Sequence, residues 1–150
     1  MATQQALDEA EIRQLIDKLV ESIRTADLEG LKVCFASDIV SFDVGPPLQH
    51  FGSQAKLKNW EEAFAVLRPP LGYEIRDLTI AAAEDVAFAH GINRLSGTFN
   101  GKRFGPWVRW TAGLRKIDGH WLIAHDQVSV PIDHVSGAAL LNLEPDGLAV

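Results

Sequence analysis

The sequence predicts a single α+β domain with helices first and sheet after. Three features predict it: an early segment with apolar residues at helical period, a change to strand-like patterning after Pro70, and two Asx-Gly pairs that mark tight hairpins. A chain of 150 residues can bury one core, and no repeat, low-complexity tract or linker divides residues 1–150.

Asp8 as N-cap and Glu11 three residues later form a capping box for the first helix, with Leu7 and Ile12 placed to staple across it. Ile12, Leu15, Ile16, Leu19, Val20 and Ile23 then recur on one helical face. Thr25-Ala26-Asp27 breaks the pattern, and Asp27 caps a short second helix running to about Phe35. Ile39 to Val44 reads as a strand closed by Gly45-Pro46-Pro47. Ser53 opens a third helix that buries Leu57, Trp60, Phe64 and Leu67 and stops at Pro69-Pro70. Four strands follow, Tyr73 to Ala82, Val86 to Phe99, Arg103 to Ile117 and His120 to Val130, with Asn100-Gly101 and Asp118-Gly119 as hairpin turns. Their succession makes an antiparallel meander. The tail after Pro131, moderately apolar from Ala138 to Leu143 and ending in Glu144-Pro145-Asp146-Gly147, is expected to pack over a sheet edge or a partner subunit.

Hydrophobic residues at 47% and charged residues at 23% are those of an ordinary globular protein. A net charge of −6 and the lack of a basic stripe exclude a nucleic-acid partner and suit an anionic membrane poorly. Cys34, the single cysteine, allows no internal disulfide and no cysteine-cluster metal site, and its apolar neighbours Leu31, Val33 and Phe35 mark a buried, inert thiol. No basic segment followed by an apolar stretch opens the chain, and nowhere do 18 apolar residues run together. The expectation is a cytoplasmic protein with no membrane partner.

The chemistry concentrates in Trp107-Val108-Arg109-Trp110-Thr111 and in the strand Trp121 to Pro131. Arginine, threonine, histidine and aspartate stand there within apolar strands, where an unpaired buried polar group costs roughly 1–3 kcal/mol. Such repeated placement lines a pocket most simply. Counting outward from tight turns, His90 faces Thr111, Ile92 faces Arg109, Arg94 faces Trp107, Thr111 faces Asp126 and Arg109 faces Val128. That register gathers His90, Arg94, Trp107, Arg109, Thr111 and Asp126 on one face, and puts Asn93, Trp110, His125, Gln127 and Ser129 on the other. A single bulge would move His125 and Gln127 across.

From Ile12 to about Pro131 the chain resembles the SnoaL-like branch of the NTF2-like superfamily, the cone-shaped fold shared with ketosteroid isomerase. Thr25 to Leu31 followed by Cys34 to Asp43 is similar to the isomerase segment in which a small helix leads into the strand bearing the general base, and Asp43 stands at the base position. Trp107-x-Arg109-x-Thr111, with Asp118-Gly119-x-Trp121-x-Ile123-x-His125 and Ser129-Val130-Pro131, is similar to a bacterial SnoaL-like subgroup; the hub domain of calmodulin-dependent kinase is a further relative by pattern. The resemblance implies helices closing the concave side of a strongly curved antiparallel sheet; such sheets often bury their outer face in a partner, and the apolar excess of the chain predicts a homodimer. Two positions depart from the pattern. Leu19 stands where ketosteroid isomerase carries its oxyanion tyrosine, with the only tyrosine, Tyr73, elsewhere; Gln127 stands where the subgroup carries a second histidine.

The readings of each residue remain paired. Asp43 is a general base in an apolar pocket or a strand-end cap of Gly45 or its neighbours. Arg109 stabilises an enolate-like oxygen or binds a carboxylate, or else is a structural arginine paired with Asp126. His125 shuttles protons or is a neutral core histidine, and His90 is a weaker candidate of the same kind. Trp60, Trp107, Thr111, Asp126 and Gln127 are candidate ligand contacts, with the tryptophans equally at home as core. Adjacent His125 and Asp126 point oppositely and no HExxH-type helix exists, so no metal site is read, and no organic cofactor is implied. Ser129 lacks a nucleophile-elbow context. The expected function is cofactor-independent isomerase- or cyclase-like chemistry on a small hydrophobic carbonyl compound, with Asp43 removing a proton. The alternative is a non-catalytic module that binds a small hydrophobic or carboxylate ligand, or serves association alone.

Overall fold

The computed structural model describes residues 1–146, so Gly147 at the end of the C-terminal motif lies outside the described residues. Three helices, α1 (Gln4–Arg24), α2 (Leu28–Lys32) and α3 (Gly52–Val66), accompany seven strands. These are β1 (Phe35–Phe42), β2 (His50–Phe51), β3 (Arg68–Ala83), β4 (Val86–Phe99), β5 (Lys102–Phe104), β6 (Trp107–Ile117) and β7 (His120–Ser129). One curved sheet runs β2-β1-β7-β6-β4-β3, with β5 paired to β4. α1 packs on β3 and β7, and α3 on β1 and β2, which makes the α+β cone. Ile12, Ile16, Ile23, Leu31, Ile39, Leu114, Trp121 and Ile123 fill the core between helices and sheet.

The hairpin turns form as their residues dictate. Asn100 and Gly101, like Asp118 and Gly119, all adopt positive φ, the left-handed pair a tight hairpin demands. Asp27 caps α2 by accepting the Gly30 N–H at 3.0 Å, although that helix stops at Lys32 because Phe35 already belongs to β1.

Several expectations require correction. α1 begins earlier than Asp8: Thr3 is the N-cap and accepts the Ala6 N–H at 3.1 Å. Asp8 is buried inside α1, where its carboxylate takes the Trp121 indole N–H at 3.1 Å and the Lys116 ammonium at 2.9 Å. Glu11 likewise accepts the Trp121 backbone N–H at 2.9 Å, and Leu7 is exposed, so no staple forms. Both acids tie the helix to the β6–β7 hairpin. The strand expected over Arg103 to Ile117 is broken at Gly105-Pro106 into β5 and β6. The sheet is also mixed, because β1 lies parallel to β7; only the meander is antiparallel.

The register count holds between β4 and β6, where His90 faces Thr111, Ile92 faces Arg109 and Arg94 faces Trp107. It fails between β6 and β7. A bulge between Gly113 and Leu114 on the ladder shifts the pairing by one, so Thr111 faces Gln127, Ala112 faces Asp126 and Arg109 faces Ser129. Asp126 therefore joins Trp110 and Ala112 on the inner face, and Gln127 joins Thr111 and Arg109 on the outer one. No helix among the described residues is long and apolar enough to cross a membrane.

Candidate functional site

The polar residues of the sheet separate into two sets on opposite faces. On the inner side, β1 presents Ile39 and Ser41 by strand alternation, Asp43 follows immediately after its last residue, and Ser41 lies in register with Asp126 of β7. α3 lays Lys56, Asn59, Trp60 and Ala63 along one stripe, spaced as i, i+3, i+4 and i+7. Together with Asp43 and with Tyr73 of β3, these four α3 residues wall a cavity of about 430 Å³, whose remaining lining is apolar, including Leu95, Val108, Val128 and Leu141. That volume and balance suit a small ligand of one or two rings. Leu141 brings the C-terminal tail against the cavity, and the tail is fastened further on by a two-pronged Arg76–Asp146 pair at 2.9 and 3.0 Å.

Two hydrogen-bonded groups stand at the cavity's polar end. Lys56 is buried, pairs with Asp126 at 2.9 Å and donates to the Ser41 hydroxyl at 3.0 Å, while Ser41 donates to Asp126. Its ammonium is also 5.7 Å from the Phe35 ring. The second group is Tyr73, whose hydroxyl accepts the buried Asn93 amide at 2.7 Å, which leaves the phenolic proton to donate elsewhere. Burial pushes the Tyr73 phenol well above its ordinary value; the Asn93 hydrogen bond opposes this, and the negative charges of Asp126 and Asp43 reinforce it. Tyr73 is thus a neutral donor at any physiological pH. Asp43 is part-buried in the cavity wall, where one carboxylate oxygen accepts the Val44 N–H at 2.7 Å and the other the Asn59 amide. It caps its neighbour and faces the cavity at once, and a carboxylate has lone pairs enough for both.

The outer set includes most of the sequence-derived candidates. Arg109 is exposed and donates to Ser129 at 3.1 Å rather than to Asp126. Thr111, Gln127 and His90 are exposed beside it, with His90 stacked against Phe88 at 6.1 Å. Trp107 is flanked by the Arg94 and Arg76 guanidiniums at 5.5 and 5.9 Å. His125 is half-buried: its Nδ1 donates to the Val40 carbonyl at 2.7 Å, and its ring meets Phe42 edge-on at 4.7 Å. None of these six lines the cavity; of the residues singled out from the sequence, Asp43 and Trp60 do, and Asp126 reaches it through Lys56.

Lys56, Asn59 and Tyr73 escaped the sequence reading. For the first two a signal existed, since they precede Trp60 by four residues and one residue on a helical face otherwise apolar. Tyr73 carried none, because only the chain's return through β3 brings it opposite Asp43.

Comparison with known proteins agrees with this architecture. The model of the SnoaL-like domain matches residues 12–133. An NTF2-like protein of unknown function from Pseudomonas putida KT2440 is 33% identical, superposes with a TM-score of 0.85, and is covered over 96% of this chain and 100% of its own. A cystatin-like-fold protein of unknown function from Nostoc punctiforme PCC 73102 is 20% identical at a TM-score of 0.71, over 84% of this chain and 92% of that one. A ketosteroid isomerase-like protein from Erwinia carotovora atroseptica SCRI1043 is 20% identical at a TM-score of 0.69, over 80% and 93% respectively. The last two share the fold. No curated protein matches the chain significantly.

Proposed function

Since the chain belongs to the SnoaL-like domain family of NTF2-like proteins, we propose that its inner cavity binds a small hydrophobic carbonyl compound and that Asp43 removes a proton from the carbon next to the carbonyl. The observation that carries this reading is that Asp43 lines a largely apolar cavity that Tyr73 also lines. A carboxylate oxygen of Asp43 takes the proton, the C–H pair becomes the C=C bond of an enolate, and the carbonyl π pair moves to oxygen. The neutral Tyr73 phenol donates a hydrogen bond to that oxygen. Return of the proton to the same carbon, or to a conjugated one, completes exchange or isomerisation. A positioned general base of this kind contributes roughly 10²–10⁴-fold.

The test needs no knowledge of the natural substrate. Exchange of the α-protons of 2-acetonaphthone with deuterated water, followed by proton NMR, is expected to be accelerated by the wild type. Asp43→Asn loses about 10²-fold or more of that acceleration, whereas Arg109→Ala on the outer face keeps it. Equal rates for wild type and Asp43→Asn contradict the assignment of the base.

The outer sheet face supports an associative role in addition, as part of a cytoplasmic homodimer. Val86 and Phe88 are 59% and 50% exposed there, continuous with the face of His90, Thr111 and Gln127. Sedimentation equilibrium is expected to give twice the chain mass for wild type and a monomer for Phe88→Glu; a monomeric wild type excludes the dimer.

A further inference from the structure

Lys56 has no part in the proton transfer described above, yet it is the only lysine or arginine buried among the described residues. Two of its three N–H groups are committed, one to Asp126 and one to Ser41, and the third has no hydrogen-bond acceptor among the described residues. Lys56 lines the cavity on the α3 face shared with Asn59 and Trp60, beside the wall that holds Asp43. Asp43 and Lys56 are the only charged side chains that line it among the described residues. One cation therefore faces two carboxylates, Asp126 in direct contact and Asp43 in the wall, so the polar end carries a formal charge of one negative unit.

This balance discriminates between ligands. A carboxylate entering the cavity loses its hydration beside Asp43, and the one available cation is already shared with Asp126 and Ser41. An uncharged carbonyl meets no such repulsion. As Asp43 takes the α-proton, negative charge leaves the Asp43 carboxylate and forms on the ligand oxygen, so the total charge of the cavity stays constant and only its position changes. A fixed ammonium with one unused N–H is suited to receive it, because that donor is already oriented by Asp126 and Ser41 before any ligand arrives.

We propose that the Lys56–Asp126–Ser41 cluster makes the cavity a site for uncharged carbonyl compounds in preference to carboxylates, with Lys56 receiving the charge that forms on the carbonyl oxygen. The inference rests on the reading of Asp43 as the base within this cavity. It excludes carboxylates as the preferred ligand class of the inner cavity.

The test compares 2-acetonaphthone with 2-naphthoate, which match in shape and differ by one charge, using isothermal titration at neutral pH and low salt. Wild type is expected to bind the ketone more tightly by roughly tenfold or more. Asp43→Asn removes the uncompensated charge and raises naphthoate affinity by about tenfold or more, with ketone affinity little changed. In the Asp43→Asn background, Lys56→Met and Asp126→Asn are introduced together, because removing Lys56 alone strands a buried carboxylate and destabilises the fold. This triple variant returns naphthoate to its weak wild-type binding. Equal affinity of wild type for the two ligands overturns the inference, as does a naphthoate gain that survives the loss of Lys56; either leaves the cavity reading standing. Failure of the ketone to bind wild type overturns the cavity reading itself, and this inference with it.

Discussion

Asp8 and Asp43 are two aspartates that local sequence reads alike, as helix or strand caps, and tertiary partners give them different tasks. Asp8 is buried at the seam between α1 and the β6–β7 hairpin, and the hydrogen bond from Lys116, followed by that from Trp121, holds its carboxyl below the usual aspartate range. A folded-state value below the unfolded one stabilises the protein at pH values above the ordinary 3.8, and this contribution is lost as pH falls through the lowered value. Acidification from about pH 5 to about pH 3 is therefore expected to lower the urea midpoint of wild type more steeply than that of Asp8→Asn. Parallel pH profiles contradict the role of Asp8. Cys34 is the opposite case: burial raises its thiol to about 11, which keeps it protonated and unreactive, as its apolar neighbours in sequence indicate. Asp43 differs from both by having one side open to a cavity.

Among the elements, the hairpins and the apolar face of α1 are legible from residues because each rests on a local cause. Asn100-Gly101 and Asp118-Gly119 supply the backbone conformation their turns require, and Ile12, Ile16, Leu19 and Ile23 recur at the helical period. The bulge opposite Gly113 is not legible in the same way. No glycine or proline marks Ala124-His125, and the extra residue there is dictated by the path of β7 between its parallel neighbour β1 and its antiparallel neighbour β6. Its consequence is large, since it carries Asp126 from the outer face to the inner one and leaves Gln127 with Arg109. The start of α1 was equally hidden. Thr3 and Asp8 are both competent caps, and the choice falls to Thr3 because Asp8 is claimed by Trp121 and Lys116 from a hairpin more than a hundred residues away.

At the scale of the whole molecule, the curved sheet turns one surface toward the helices and the other away, and the candidate chemistry divides along that line. The inner surface joins elements distant in sequence: Ser41 and Asp43 from the β1 region, Lys56 and Trp60 from α3, Tyr73 from β3 and Asp126 from β7. Sequence spacing cannot show such a meeting: Asp43 is legible through family resemblance, and Trp60 and Asp126 only as separate candidate contacts, with nothing in the spacing to bring the three together. The outer surface gathers Arg109, Thr111 and His90, which spacing does show because cross-strand neighbours follow from the turns, and Gln127, which the bulge leaves beside them. The function proposed above lies on the inner surface, and amide and indole chemical-shift mapping of the 15N-labelled protein as 2-acetonaphthone is added tests it most directly. The Trp60 indole and the Tyr73 and Val128 amides are expected to shift while Thr111 and Gln127 stay in place; shifts confined to Thr111, Gln127 and Arg109 contradict a ligand site in the inner cavity.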